Sequence, residues 1–230
     1  MTTLRKLAGT LALLASLPAA AGDNTWFAGA EGSESSYSGY VGVIVPNASL
    51  VADGNGWFQR YWADTFGYEY LGQPGLVEAE AYGAEVAVGW SSSSADGYGA
   101  ISVGYRFVDT ELTPDDLGAS ARGGKSAAKV QFDGERRFSE TWKAQFIASY
   151  TTSFDGYWSR MRLLNTSNAS AHLGLEVAAQ GNDEYDAWVT GLVAVFQPAD
   201  GAWSLALKGG YRFQDELDGA YGGLELSRRF

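Results

Sequence analysis

The chain has no cysteine among its 230 residues, which excludes disulfides and thiolate metal sites. Proline is scarce, at 5, and histidine occurs once, as His172. Past the first few residues no apolar run reaches the ~18 residues that a membrane-spanning helix requires, so a membrane location would have to be reached with strands. Basic residues are outnumbered, 16 against 27, and the formal charge is −11. That balance argues against nucleic acid or an anionic lipid surface as partner.

What is present is glycine (30), tyrosine (13) and tryptophan (8). This composition suits many strands with interfacial aromatics and is far from a disordered one. The first residues place Arg5 and Lys6 ahead of an apolar run, Leu7 to Leu17, followed by Ala19, Ala20 and Ala21. The pattern reads as a secretory signal peptide over 1–21, with one domain over 22–230. Removing that leader takes two basic residues and no acidic one, lowering the charge from −11 to −13.

Period-two alternation divides the remainder into about twelve segments of roughly ten residues, the length of tilted spanning strands. They fall near 24–33, 37–46, 56–69, 77–91, 98–109, 124–137, 142–154, 157–165, 171–181, 186–197, 202–213 and 219–230. The clearest carry Trp142, Ala144, Phe146, Ala148 and Tyr150 on one face, and Trp203, Leu205, Leu207, Gly209, Tyr211 and Phe213 on another. Aromatics at both ends of an apolar face are the mark of two girdles around a lipid-facing band. The chain also ends on an aromatic, Phe230, after the alternating stretch Gly222, Leu224, Leu226, Arg228. A soluble lipocalin-like barrel would share the periodicity with its apolar face turned inward. Girdle placement and the terminal Phe favour the expectation of an all-β, transmembrane, antiparallel up-and-down β-barrel of about twelve strands in the bacterial outer membrane.

The connections sort into two alternating sets. One holds 46–56, 91–97, 138–141, 166–170 and 197–201, rich in Ser, Asn, Asp and Gly. The other holds 109–124, 154–156, 181–186 and 214–219, where acidic residues gather. With an even strand number and both termini periplasmic, the second set, which includes the longest connection, faces the exterior.

Four stretches go beyond what barrel geometry demands: WFAGAEGSESSYSGYVGVIVP (26–46), LTPDDLGASARGGKSAAKVQ (112–131), ASYTTSFDGYWSRMRL (148–163) and GLEVAAQGNDEYDAW (174–188). Together they resemble the bacterial cellulose-biosynthesis protein family BcsS over nearly the whole mature chain. The resemblance implies a role at the outer membrane in making, exporting or organising cellulose or a related glucan, with periplasmic cellulose-synthase components as partners. It implies no reaction, cofactor or catalytic residue.

Alternation places Trp158, Arg160, Arg162, Lys208 and Arg212 inside the barrel, with Glu176 available to pair with them. Two readings compete. The cations and Trp158 line a path for a sugar, the indole stacking on a ring; or each Arg is paired with a Glu in a network that fills the lumen, as buried charges usually are. His172 and Glu176 lie four residues apart on one strand face; as a catalytic pair with a Ser they would suggest an outer-membrane lipid- or glycan-modifying enzyme such as a lipase or deacylase, since that chemistry needs a base held beside a nucleophile. Their place near the connection 166–170, on the periplasmic side, disfavours that use. The remaining functional alternative is a diffusion channel for acidic oligosaccharides. The acidic pairs Asp115–Asp116 and Asp183–Glu184 lack EF-hand spacing and read as solvated loop charge, so no metal site is expected.

Overall fold

The computed structural model describes residues 24–52, 55–198, 201–214 and 217–230. The signal peptide expected over 1–21 lies outside the described residues. Twelve strands follow one another: β1 Thr25–Ser33, β2 Ser36–Ala52, β3 Asn55–Gly72, β4 Gly75–Ser94, β5 Gly97–Thr113, β6 Gly123–Ser139, β7 Trp142–Thr151, β8 Gly156–Asn165, β9 Ala171–Gly181, β10 Asp186–Phe196, β11 Trp203–Phe213 and β12 Gly219–Arg229. Each pairs antiparallel with its neighbour in sequence, and β12 pairs with β1, so the sheet closes. Closure leaves no edge with unpaired backbone groups, which is the condition for a sheet to stand in hydrocarbon. At the seam Trp26 lies opposite Arg228, and the Phe230 N–H donates to the Asn24 carbonyl at 3.1 Å.

The outward residues confirm the alternation. At the end carrying the termini, Trp57, Trp90, Trp142, Phe196, Trp203 and Phe230 are exposed. Trp57 and Trp90 are cross-strand partners with rings edge-on at 5.5 Å. Toward the other end stand Tyr82, Tyr150, Trp188, Tyr211 and Phe213, with Trp188 opposite Phe213. Between these girdles the outside is Val86, Val88, Val103, Val130, Met161, Leu175, Leu192, Leu207 and Leu224, all exposed. An apolar exterior of this extent is tolerable only against lipid. Arg228 does point outward; its guanidinium lies 4.5 Å from the Phe230 ring centroid, at the rim.

The connections among β2 to β6 are shorter than the alternation predicts. β2 and β3 pair to Pro46 and again at Val51 and Ala52, β4 and β5 pair through 91–94, and β5 runs to Thr113, so the long connection contracts to 114–122. The serines of 91–94 read as loop by composition, yet each finds a ladder partner, and beyond Pro46 the pairing resumes at Val51 and Ala52. Pro46 sits where the β2–β3 register shifts, a place where its missing N–H costs little. As a result β3, β4 and β5 have 18, 20 and 17 residues, whereas β7 to β12 have 10 or 11.

Candidate functional site: the lumen

Side chains on the inner face fill the barrel unevenly. On the β8–β11 side, near the terminus end, Leu164, Val193, Val195 and Ala206 form a small apolar cluster. Above it lies an ionic layer. Arg162 donates from Nε to Glu176 at 2.6 Å and from Nη2 and Nη1 to Glu225 at 2.9 and 3.0 Å. Arg160 pairs with Glu225 and stands 4.0 Å from Glu176. Lys208 reaches Glu31 at 2.5 Å, Glu225 at 3.1 Å and Glu176 at 3.8 Å. The Tyr221 hydroxyl donates to Glu176 at 2.9 Å. Three cations thus meet three carboxylates. Charges drawn this far from bulk water persist because every carboxylate of the layer has a cation or hydroxyl donor within reach.

The opposite wall carries a second set of pairs: Arg60–Glu85 at 2.7 Å, Lys129–Glu85 at 2.7 Å and Arg106–Asp64 at 2.7 Å. Beside it is an aromatic group. Phe27 of β1 lies over Gly42 of β2 and Tyr40 of β2 over Gly29 of β1, a reciprocal pair of cross-strand neighbours. A Cβ at Gly29 would come within 2.5 Å of the Tyr40 ring, and one at Gly42 within 2.3 Å of Phe27, so any side chain at either glycine would push a ring off the wall. Trp62 stacks on Tyr40 with centroids 4.5 Å apart and planes 13° apart, and Lys129 stands 5.6 Å from the Trp62 ring. Trp62 Nε1 and Asp64 Oδ1 are buried without a hydrogen-bond partner in the protein.

Between the walls runs a cavity of ≈ 550 Å³. It extends from Thr25, Gln197 and Ser227 at the terminus end to Tyr68, Ala121 and Asn182 at the other, and Trp158, Arg160, Arg162, Lys208 and Arg212 border it. Of the residues singled out from sequence, Arg160, Arg162, Lys208 and Glu176 are joined in the ionic layer. Trp158 is set apart from them, with the Arg160 guanidinium 5.3 Å from its ring. Arg212 is separate too: it donates to Gln214 Oε1 at 2.7 Å and lies 5.9 Å from the Tyr185 ring. Sequence reasoning missed Phe27, Tyr40 and Trp62, because β3 is aromatic on both faces: Trp57 and Tyr61 outward, Phe58, Trp62 and Phe66 inward. His172 is buried, and its Nδ1 has no partner to orient the ring as a catalytic base.

Both ends differ in charge. The described loops away from the termini carry Glu34, Asp115, Asp116, Asp155, Asp183, Glu184 and Asp218, and one basic residue, Arg122. Arg122 donates from Nε to Asp115 Oδ1 at 2.6 Å and from Nη2 to Oδ2 at 2.9 Å, and this pairing holds the Asp115 carboxyl below its ordinary range. Among the described residues no group of three or more His, Cys, Asp and Glu side chains is arranged to hold a metal ion.

A closed twelve-strand barrel with an apolar, aromatic-girdled outside and a charged inside defines an outer-membrane β-barrel protein. The chain belongs to the family described as "Cellulose biosynthesis protein BcsS", whose model matches residues 25–230. No curated protein matches it in sequence. In structure it is similar to the KdgM porin, with a TM-score of 0.52 and 9% identity over 90% of this chain and 99% of the porin. It is also similar to a TodX deltaS2S3 mutant monoaromatic hydrocarbon channel, with a TM-score of 0.52 and 9% identity over 95% of this chain and 94% of that one. At such identities the likeness is one of fold.

Proposed function

We propose that the protein serves cellulose biosynthesis as an accessory or narrow conduit for a secreted glucan, with the chain termini on the periplasmic side and the acidic loops outside. The observation that carries this reading is the lumen cavity in a barrel of this family: it follows the barrel's length and is bordered by aromatic and hydrogen-bonding side chains. A sugar ring offers a C–H face to an indole and hydroxyls to polar groups, and both kinds of surface are available there. The ionic layer is internally neutralised, which suits a neutral polymer better than an acidic one. The acidic exterior loops would repel acidic oligosaccharides arriving from outside, which counts against a diffusion channel for them. The lack of a partner on His172 Nδ1 gives no support to hydrolytic chemistry.

Trp158 supplies the test, since Trp158→Ala removes a stacking surface without leaving a carboxylate unpaired. Cell-surface glucan, measured by dye binding and normalised to folded barrel in the outer membrane, is expected to fall severalfold. Unchanged normalised glucan would remove Trp158 from the path, and a proportional loss of barrel and glucan would assign it a structural role.

A further inference from the structure

The cavity stops beneath the segment 114–122, the connection between β5 and β6. This segment folds inward across the mouth. Ala119 is buried in a cluster with Tyr68, Tyr70, Val77 and Ala79, and Phe66, Leu112 and Tyr185 pack around it. Tyr68 and Tyr185 stand with ring centroids 4.3 Å apart, and the Asn182 side-chain amide donates to the Tyr68 hydroxyl at 3.1 Å. Two hydrogen bonds tether the segment to its surroundings: the Tyr70 hydroxyl donates to Asp116 Oδ2 at 3.2 Å, and the Ser120 backbone N–H to Glu184 Oε1 at 2.5 Å. The bidentate Arg122–Asp115 pair stiffens the segment without attaching it to the barrel.

This seal is imperfect. Among the tyrosines its wedge is a single methyl group, that of Ala119, and the Ser120 hydroxyl beside it is buried with no hydrogen-bond partner in the protein. A contact that buries an orphan hydroxyl is opposed by the desolvation of that group and is relieved whenever the segment lifts. What lifting would uncover is a tyrosine surface with amide and carboxylate groups at its border, the same chemistry that recognises a sugar ring: flat faces for C–H groups, and donors and acceptors for hydroxyls at the ring edge.

We infer that residues 114–122 are a gate, and that the Tyr68–Tyr70–Tyr185 surface under Ala119 is an exit subsite for a neutral hexose unit, occupied in the closed state by the gate. This rests on the glucan reading for the identity of the sugar, whereas the gate itself rests on the packing. Closure holds the barrel shut to the exterior, and an arriving chain end competes for the tyrosines and displaces the loop.

The test is single-channel recording on the purified, folded barrel in planar bilayers, which needs no polymer-producing machinery. Ala119→Asp places a carboxylate among the tyrosines, next to Asp116 and Glu184, and replacement of 115–121 by a short Gly-Ser turn removes the gate. Both changes lie outside the strands. The expected result is at least a tenfold rise in conductance over the parent protein, partial block of the open current by cellohexaose, and loss of that block on adding Tyr185→Ala. Parent-like conductance in the shortened variant would overturn the gate. A raised conductance that cellohexaose leaves unchanged would overturn the exit subsite. Failure of the glucan reading itself would appear elsewhere, as undiminished cell-surface glucan in cells that lack the protein.

Discussion

Glu225 is the hinge of the ionic layer, and the consequence of removing it can be worked from the contacts. It is bonded by Arg160, by both terminal nitrogens of Arg162 and by Lys208. With Glu225→Leu, Arg162 keeps Glu176 at 2.6 Å and Lys208 keeps Glu31 at 2.5 Å, whereas Arg160 keeps only Glu176 at 4.0 Å. Arg160 is therefore the orphan. Leaving a buried charge without its partner costs roughly 3–5 kcal/mol, and the lower half of that range applies because the Arg160 side chain retains 16% exposure. Removing the cation instead, by Arg160→Leu, leaves Glu225 bonded to Arg162 and Lys208 and should cost about 1–2 kcal/mol. The double variant restores the balance of charges, two against two. It should be more stable than Glu225→Leu alone, by about 1–2 kcal/mol, a coupling opposite in sign to additivity. Urea titration of the barrel folded in phospholipid vesicles, followed by tryptophan fluorescence and by heat-modifiable gel migration, measures all three. A double variant as unstable as the sum of the two singles would refute the view that the layer is a charge-balanced unit.

Two further outcomes bear on architecture and orientation. Phe230→Asp places a charge at the closing seam, beside the Asn24 backbone, and should leave most chains unassembled in the periplasm; normal heat-modifiable barrel in the outer membrane would contradict the closure. A protease site inserted between Asp115 and Ser120 should be cut in intact cells, while one within 166–170 should be cut only after the outer membrane is permeabilised, and the reverse pattern would invert the topology.

Strand number, pairing order and facing were legible because a lipid-exposed wall admits little beyond apolar side chains, so each outward row announces itself. Trp142 to Tyr150 and Trp203 to Phe213 are such rows. Loop lengths were less legible where a strand leaves the apolar zone: once past it, Ser91 to Ser94 can pair as well as any residue, and polarity stops separating strand from turn. The site was legible in part. Arg160, Arg162, Lys208 and Glu176 could be assigned to the interior by alternation, but their union with Glu31 and Glu225 depends on which strands the closure brings opposite each other across the lumen. The Phe27–Tyr40–Trp62 group was hidden for a related reason. Its signal is a glycine facing each ring across a strand pair, and that becomes visible only when the β1–β2 register is known.

The uneven strand lengths make the barrel lopsided. Twenty residues of β4 at about 3.3 Å each, tilted by roughly 40°, rise some 50 Å, against a hydrocarbon core of about 30 Å. By the same reckoning the short strands β7 to β12, with 10 or 11 residues, rise only about 25–28 Å and do no more than match that core. The surplus of β3 to β5 therefore stands out of the membrane as a parapet along one side of the tube, where Glu78 and Glu111 face outward beyond the apolar band. A ring of equal loops would look the same from every direction. A parapet gives the barrel a front and a back, so that any protein meeting either rim finds one bearing to take rather than twelve.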